Sequence, residues 1–213
     1  MAKRKHIGTV VIAILVAILL AVGVSGWLFW QSVQRVIGEA QQAGEYAAEA
    51  QQSVGQGDFK QALEQMDSAG SHIVTAHDET QGALWQAAEY VPYYGSDVKA
   101  VHGMLGAAAD AATNALPKID SAAQGTLVDF NIEELLSGMN FSDGTLSIPK
   151  IASIKQDLSD AGAVLKRVKT SIYALPQPRT EQITEMVNQG KQVVDQIDET
   201  FDTLNTIVEK IPG

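Results

Sequence analysis

The sequence predicts an all-α protein, with one N-terminal transmembrane helix followed by an elongated up-and-down extracytoplasmic helical bundle. Three observations carry that expectation. Residues 7–30 are 24 consecutive positions without a formal charge. Beyond them, apolar residues recur at intervals of three and four along several long segments, which is the helical period. The whole chain has 213 residues, 46% of them hydrophobic, which at roughly 100 to 200 residues per domain fits one anchored domain rather than two large ones.

Residues 1–6 form a basic start containing Lys3, Arg4 and Lys5. In the run behind them, 14 residues are Ile, Leu, Val or Phe. As a helix rising about 1.5 Å per residue the run spans about 36 Å, enough to cross a hydrocarbon core of about 30 Å with some tilt. At about −0.3 to −0.6 kcal/mol for each such residue near the centre, insertion gains on the order of −4 to −8 kcal/mol before the Gly, Ser and Thr positions are set against it. Lys3, Arg4 and Lys5 then hold the N-terminus in the cytoplasm. Trp27 and Trp30 fall where indoles anchor a helix at the far interface. A cleaved secretory signal shares these ingredients, but its apolar core usually runs about 7 to 15 residues. The longer run, continuing through Trp27, Leu28, Phe29 and Trp30, favours a retained signal-anchor. Either way residues 31–213 are expected outside the cell membrane.

Within the membrane helix Thr9, Ala13, Ala17, Ala21 and Ser25 recur every four residues, a small-residue ridge of the kind that lets two helices pack closely in lipid. The ridge predicts a parallel homodimer, although Ala is also simply common in membrane helices.

After the anchor, Val33, Val36, Ala40, Ala43, Ala47, Ala50 and Val54 predict that the helix runs on into water with a narrow Ala-rich stripe, ending at Gly55-Gln56-Gly57. Asp58, with Gln61 three residues on, caps the next helix, whose apolar face is Ala62, Leu63, Met66, Ala69, Ile73 and Val74. Helical spacing continues through Leu84, Trp85, Ala88 and Val91 and stops at Pro92, which lacks an N–H and restricts its predecessor. Trp85, Pro92, Gly95 and Asp97 thus mark a structural turn, Val91 to Gly95, between antiparallel helices. Ser96 or Asp97 caps a helix on Val98, Val101, Leu105, Ala108, Ala112 and Leu116, expected to close near Pro117 or shortly after it.

Residues 125–149 read as a loop-rich segment with a short helix at 132–136. Thr145 to Ile148 alternates like a strand but has no evident sheet to join. Two long helices finish the chain. Ile151, Ile154, Leu158, Ala161, Leu165, Val168 and Ile172 mark the first, ended by Pro176 and Pro178. Ile183, Met186, Val187, Gly190, Val193, Val194, Ile197, Phe201, Leu204, Ile207 and Val208 mark the second, close to a coiled-coil heptad seam.

Charge and composition exclude several functions. Beyond Trp30 the balance is 12 Lys and Arg against all 25 Asp and Glu, or −13, which disfavours nucleic acid as a partner. The absence of Cys removes disulfides, thiol catalysis and zinc ribbons. His72 and His77 stand five residues apart, so on one helix their rings point about 140° apart and do not share a metal ion. Asp78-Glu79, Glu133-Glu134 and Asp198-Glu199 are adjacent pairs that do not face each other on a helix, and read as solvated faces. No phosphate loop, nucleophile elbow or metal motif occurs. Tyr90, Tyr93 and Tyr94 with Trp85 read as aromatic packing at a helix turn. No catalytic residue, cofactor or metal is expected.

The stretch Leu84-Trp85-x-Ala87-Ala88-x-x-Val91-Pro92-x-x-Gly95-x-Asp97-Val98-x-Ala100-Val101, flowing into an Ala-rich helix and Leu116-Pro117, resembles the N-terminal helical portion of actinobacterial envelope proteins catalogued as domain of unknown function 4012. The layout is similar too: a basic start, one membrane helix, an opening like Gly57-Asp58-Phe59, and an Asp-Gly segment like Asp143 to Ile148. Members of that family usually continue past a turn like Ile211-Pro212-Gly213 into a larger domain. The resemblance therefore implies either a stand-alone relative or part of a longer protein, and it brings no catalytic residues. Three readings follow. The first is a membrane-anchored, non-catalytic stalk of the bacterial cell envelope, with the lipid bilayer and an envelope protein or wall polymer as partners. The others are a sensor-like module of the chemoreceptor type and part of a cell-wall polymer enzyme.

Overall fold

The computed structural model describes residues 4–124, 140–142, 145–147 and 149–209, with side chains for 23–124, 152–203 and 206. Apart from one small hairpin, the described residues outside turns are helical. Helix α1 runs unbroken from Arg4 to Gly55, a rod of about 78 Å at 1.5 Å per residue. Among the described residues no helix is long and apolar enough to cross a membrane. Side-chain description begins at Gly23, so residues 7–22 of the expected span, with Thr9, Ala13, Ala17 and Ala21, and the side chains of Lys3, Arg4 and Lys5, lie outside it.

The end of α1 is fixed by a glycine. Gly57 takes φ +79°, and its N–H bonds the Val54 carbonyl at 3.0 Å while Asp58 N–H reaches Ser53 O at 2.9 Å, the paired bonds that close a helix on a left-handed residue. Asp58 then caps α2 (Phe59–Thr80) by accepting the Gln61 N–H on Oδ1 at 3.0 Å.

The α1–α2 hairpin buries every seventh residue. Val36, Ala43 and Ala50 are buried on α1, and Ala62, Ala69 and Ala76 on α2. The helices are antiparallel, so Val36 stands at the level of Ala76, Ala43 of Ala69 and Ala50 of Ala62. A seam of methyl groups lets two backbones approach closely, and its seven-residue spacing keeps it facing the partner. The seam is narrower than the expected stripe: Ala40, Ala47 and Val54 are exposed.

After α2, the short helix α3 (Ala83–Ala88) and a turn lead into α4 (Gly95–Asp110). The helix ends at Ala88, earlier than the expected Val91. Gly95 is buried, and a Cβ there would run into the Glu89 carbonyl oxygen; only glycine lets the turn close. Neither Ser96 nor Asp97 caps α4. Tyr94 occupies the N-cap without a side-chain bond, and Asp97 lies inside the first turn, pointed elsewhere.

The helical path continues through Pro117 and closes at Ala123. A wide π-helical turn, Ala111–Ala115, carries α4 straight into α5 (Leu116–Ala123). The wide turn moves Leu116 N–H onto Ala111 O, so Pro117 enters within the first two positions of a new helical register, where its missing N–H costs nothing.

The strand-like residues near 145 do find a partner. β1 (Asn140–Ser142) and β2 (Thr145–Ser147) pair antiparallel, with Phe141 opposite Leu146. Asp143-Gly144 between them is a turn dipeptide favoured in two-residue hairpins. The expected helix at 132–136 lies outside the described residues. Helices α6 (Pro149–Tyr173) and α7 (Glu181–Glu209) complete the fold as a second antiparallel pair.

The α4–α5 rod is the middle layer, between α2 on one side and α6 with α7 on the other. Two clusters form the core. Ala107, Ala115, Val164, Val168, Ile172 and Val194 join the rod to α6 and α7, while Val36, Ala76 and Trp85, with Phe29, Val33, Val98, Val101 and Leu105, join α1 to α2, α3 and α4. Small residues let the rod sit close: a Cβ on Gly103 would strike Leu175, and Gly106 lies under the His77 ring.

Candidate functional site

Among the described residues the most organised polar structure is a relay beside the second core cluster, the one that holds Trp85. Trp85 Nε1 donates to Ser32 Oγ at 2.8 Å, Ser32 donates to Glu79 Oε1 at 2.6 Å, and Arg35 Nη2 reaches the same carboxylate oxygen at 2.5 Å. The Phe29 ring meets Trp85 edge-on, with centroids 5.1 Å apart. The hydrogen bond from Arg35, then that from Ser32, holds the Glu79 carboxyl below its ordinary range. Glu79 is therefore engaged, in contrast to the solvated role expected of it, while Asp78 beside it is exposed. Asp198 is likewise engaged: Lys169 bonds it at 2.7 Å and lies 3.0 Å from Asp195. Glu133 and Glu134 lie outside the described residues.

His72, His77 and His102 act as helix fasteners. His72 Nδ1 pairs with Glu39 on α1 at 2.7 Å and its ring stacks on Tyr46. His77 faces α4, where the Gln81 amide nitrogen bridges it to His102 at 2.7 and 3.1 Å, and His102 Nδ1 meets Glu89 at 2.8 Å. Thus His72 and His77 do face different helices. Among the described residues no three or more His, Cys, Asp and Glu side chains are disposed to hold a metal ion. A groove of about 460 Å³ between α2 and α5, lined by Lys60, Glu64, Asp67, Leu116, Pro117 and Asp120, is open and carries acidic side chains on both walls, with no nucleophile and base paired in it.

Asp97 performs a different task from the cap expected of it. It is buried, and Oδ1 accepts the backbone N–H groups of Arg179 and Thr180, at 2.5 and 3.3 Å, across 82 and 83 residues of sequence. The first turn of α4 thereby holds the turn that starts α7.

The aromatic cluster divides. Trp85 is buried, but Tyr90, Tyr93 and Tyr94 are exposed, as are Val91 and Pro92. Tyr93 and Tyr94 meet edge to face, with centroids 5.0 Å apart, so aromatic packing is present at the turn, but on its exposed surface and apart from the buried Trp85. Tyr93 takes φ +76°, a left-handed conformation that is an outlier for a bulky residue. On α1, Ser25, Trp27 and Trp30 are exposed too. Ser32, Arg35, Phe29 and His102 were not legible as site residues, since each sits on a helix flank whose partner comes from a distant segment.

Comparison of the chain with protein-family models, curated proteins and solved structures gives no match. The resemblance to the 4012 family rests on the residues quoted for it.

Proposed function

We propose that this protein is a membrane-anchored, extracytoplasmic, non-catalytic helical stalk of a bacterial cell envelope, its N-terminus cytoplasmic. The observation that carries the reading is the continuity of α1, whose single helix holds both the uncharged run 7–30 and the first wall of the bundle. A helix without a break transmits the orientation of its buried segment to everything packed on it. An α1–α2 hairpin closed on an Ala seam and a second pair joined to it through the α4–α5 rod make a body suited to spacing or presenting a partner, an envelope protein or wall polymer. The layout shared with the 4012 family supports an envelope location. The small-residue ridge Thr9, Ala13, Ala17, Ala21 and Ser25 supports a parallel homodimer through the membrane helix.

Two measurements test this. External protease on intact cells should remove the acidic part, and full protection would sink the topology. For the homodimer, Ala17→Ile should weaken association in the membrane while Leu19→Ile does not; equal behaviour of the two variants leaves the ridge as ordinary composition. A sensor-like module is the second reading, favoured by the same unbroken helix feeding an antiparallel bundle.

A further inference from the structure

Exposed large apolar side chains gather at one end of the molecule. Phe29 meets Trp85, and Phe29 and Val33 pack with Trp85, Val98 and Val101. Glu79 meets Ser32 and Arg35, while Trp85, six residues on, meets Ser32 and Phe29; the chain thus advances toward the start of α1, which puts the turn after Ala88 at the level of the stretch that carries Val24, Trp27, Leu28 and Trp30. Those four are exposed, and so are Tyr90, Val91, Tyr93 and Tyr94. Trp27 and Trp30 are each 60% exposed, and Tyr90 is 81% exposed. Two separate segments thus bring eight large apolar side chains to the level where the uncharged run enters the bundle.

We propose that the turn Tyr90 to Tyr94 is a second membrane contact, its tyrosine rings seated in the headgroup layer of the bilayer that α1 crosses. The inference rests on the membrane-anchored reading above. Chemistry selects lipid as the occupant. A tyrosine ring has an apolar body and a polar tip, which suits the boundary between acyl chains and water. The turn already contains a glycine at position 95, yet its left-handed position is occupied by Tyr93, so backbone ease yields there to an exposed ring. Charge is sorted in the same sense. Glu89 is engaged by His102 and Asp97 is buried on backbone N–H groups, whereas Lys99 stands over the Tyr90 ring, 5.4 Å from its centroid, available to headgroup phosphates. Beyond them exposed Arg179 is offset by exposed Glu181. A single helix leaves a stalk free to swing and rotate. A foot beside it fixes how the bundle stands on the membrane.

The chain has no Cys, so single cysteines report position directly. The full-length protein carries an environment-sensitive fluorophore at Tyr90→Cys, Trp27→Cys or Gln56→Cys, the last in the α1–α2 turn at the far end, and is placed in phosphatidylcholine nanodiscs with shallow spin-labelled lipid as quencher. Circular dichroism first confirms that each variant keeps its helix content. Quenching several-fold stronger at 90 than at 56 is the expected result. Equal, weak quenching at 90 and 56 overturns the foot, whatever position 27 reports. Absence of quenching at 27 overturns the anchor itself, so the two failures are separable.

Discussion

Trp85 Nε1 donates a 2.8 Å hydrogen bond to Ser32 Oγ across 53 residues of sequence, and this bond fastens α3 to the wall that α1 makes. It is the innermost link of the relay that ends at Arg35. Removing one partner strands the other: Ser32→Ala leaves a buried indole N–H without an acceptor, which costs about 1–3 kcal/mol. Trp85→Phe should cost less in the Ser32→Ala background than in the parent, because the donor it removes is already stranded there while the cavity it leaves is the same in both. Chemical denaturation of the four members of the cycle checks this, and strict additivity would contradict the relay.

The pH dependence has two limbs. Hydrogen bonds from Arg35 and then Ser32 lower the pKa of Glu79, and bonds from Tyr173 and then Lys169 lower that of Asp195. A carboxylate with a depressed folded pKa contributes stability above its unfolded value, about 3.9 to 4.3, and loses it as pH falls through the folded value. Lys169 is raised, by Asp198 and then Asp195, and Tyr173 is raised by its bond to Asp195. Their contributions are complete below about 10, the unfolded values, and vanish as pH rises through the folded ones. Glu79→Gln should flatten the acid limb of a stability profile and leave the alkaline limb alone, while Lys169→Met should flatten the alkaline one. These pairs are partly exposed, so solvent and salt keep each effect small.

The Ala seam makes a sharper prediction. Ala43 is buried opposite Ala69, while Ala47, one helical turn away, is exposed. Ala43→Leu forces α1 and α2 apart and should cost about 1–3 kcal/mol, whereas Ala47→Leu should stay within about 0.5 kcal/mol. Thermal melting of the two variants separates them. Equal melting temperatures would mean that the seam is loose.

The sequence made the helices legible because their apolar residues keep the helical period, and Asp58 and Gly57 mark a boundary by local chemistry alone. What it could not show was which of two similar Ala stripes faces inward. Ala40 and Ala47 differ from Ala43 and Ala50 only by register against α2, a relation that no single helix contains. The π-helical turn before Pro117 was illegible for a related reason, since a proline forbids a normal helical bond but not a widened turn before it. The site was less legible still. Ser32, Glu79 and Trp85 carry no motif, and their meeting depends on how α3 folds back.

Asp97 shows the same dependence, and it yields the last prediction. An aspartate two residues after a glycine, at the start of a helix, has the local marks of a cap, yet α4 leaves it free to reach the start of α7. There Oδ1 takes two backbone N–H groups, Arg179 and Thr180, that begin a helix and have no carbonyl of their own to bond. Asp97→Ala strands both donors in a half-buried turn and should cost about 1–3 kcal/mol. The loss should concentrate at that turn, with the amides of residues 179 and 180 exchanging with deuterium faster than those at the middle of α7. Asp97→Asn keeps an acceptor oxygen of the same reach, and Oδ2 makes no hydrogen bond for the new nitrogen to break, so it should retain most of the protection. Faster exchange in the Ala variant but not in the Asn variant assigns the clasp to the oxygen. Unchanged exchange at 179 and 180 in the Ala variant would show that apolar packing, with Leu175 against Gly103, holds the turn without it.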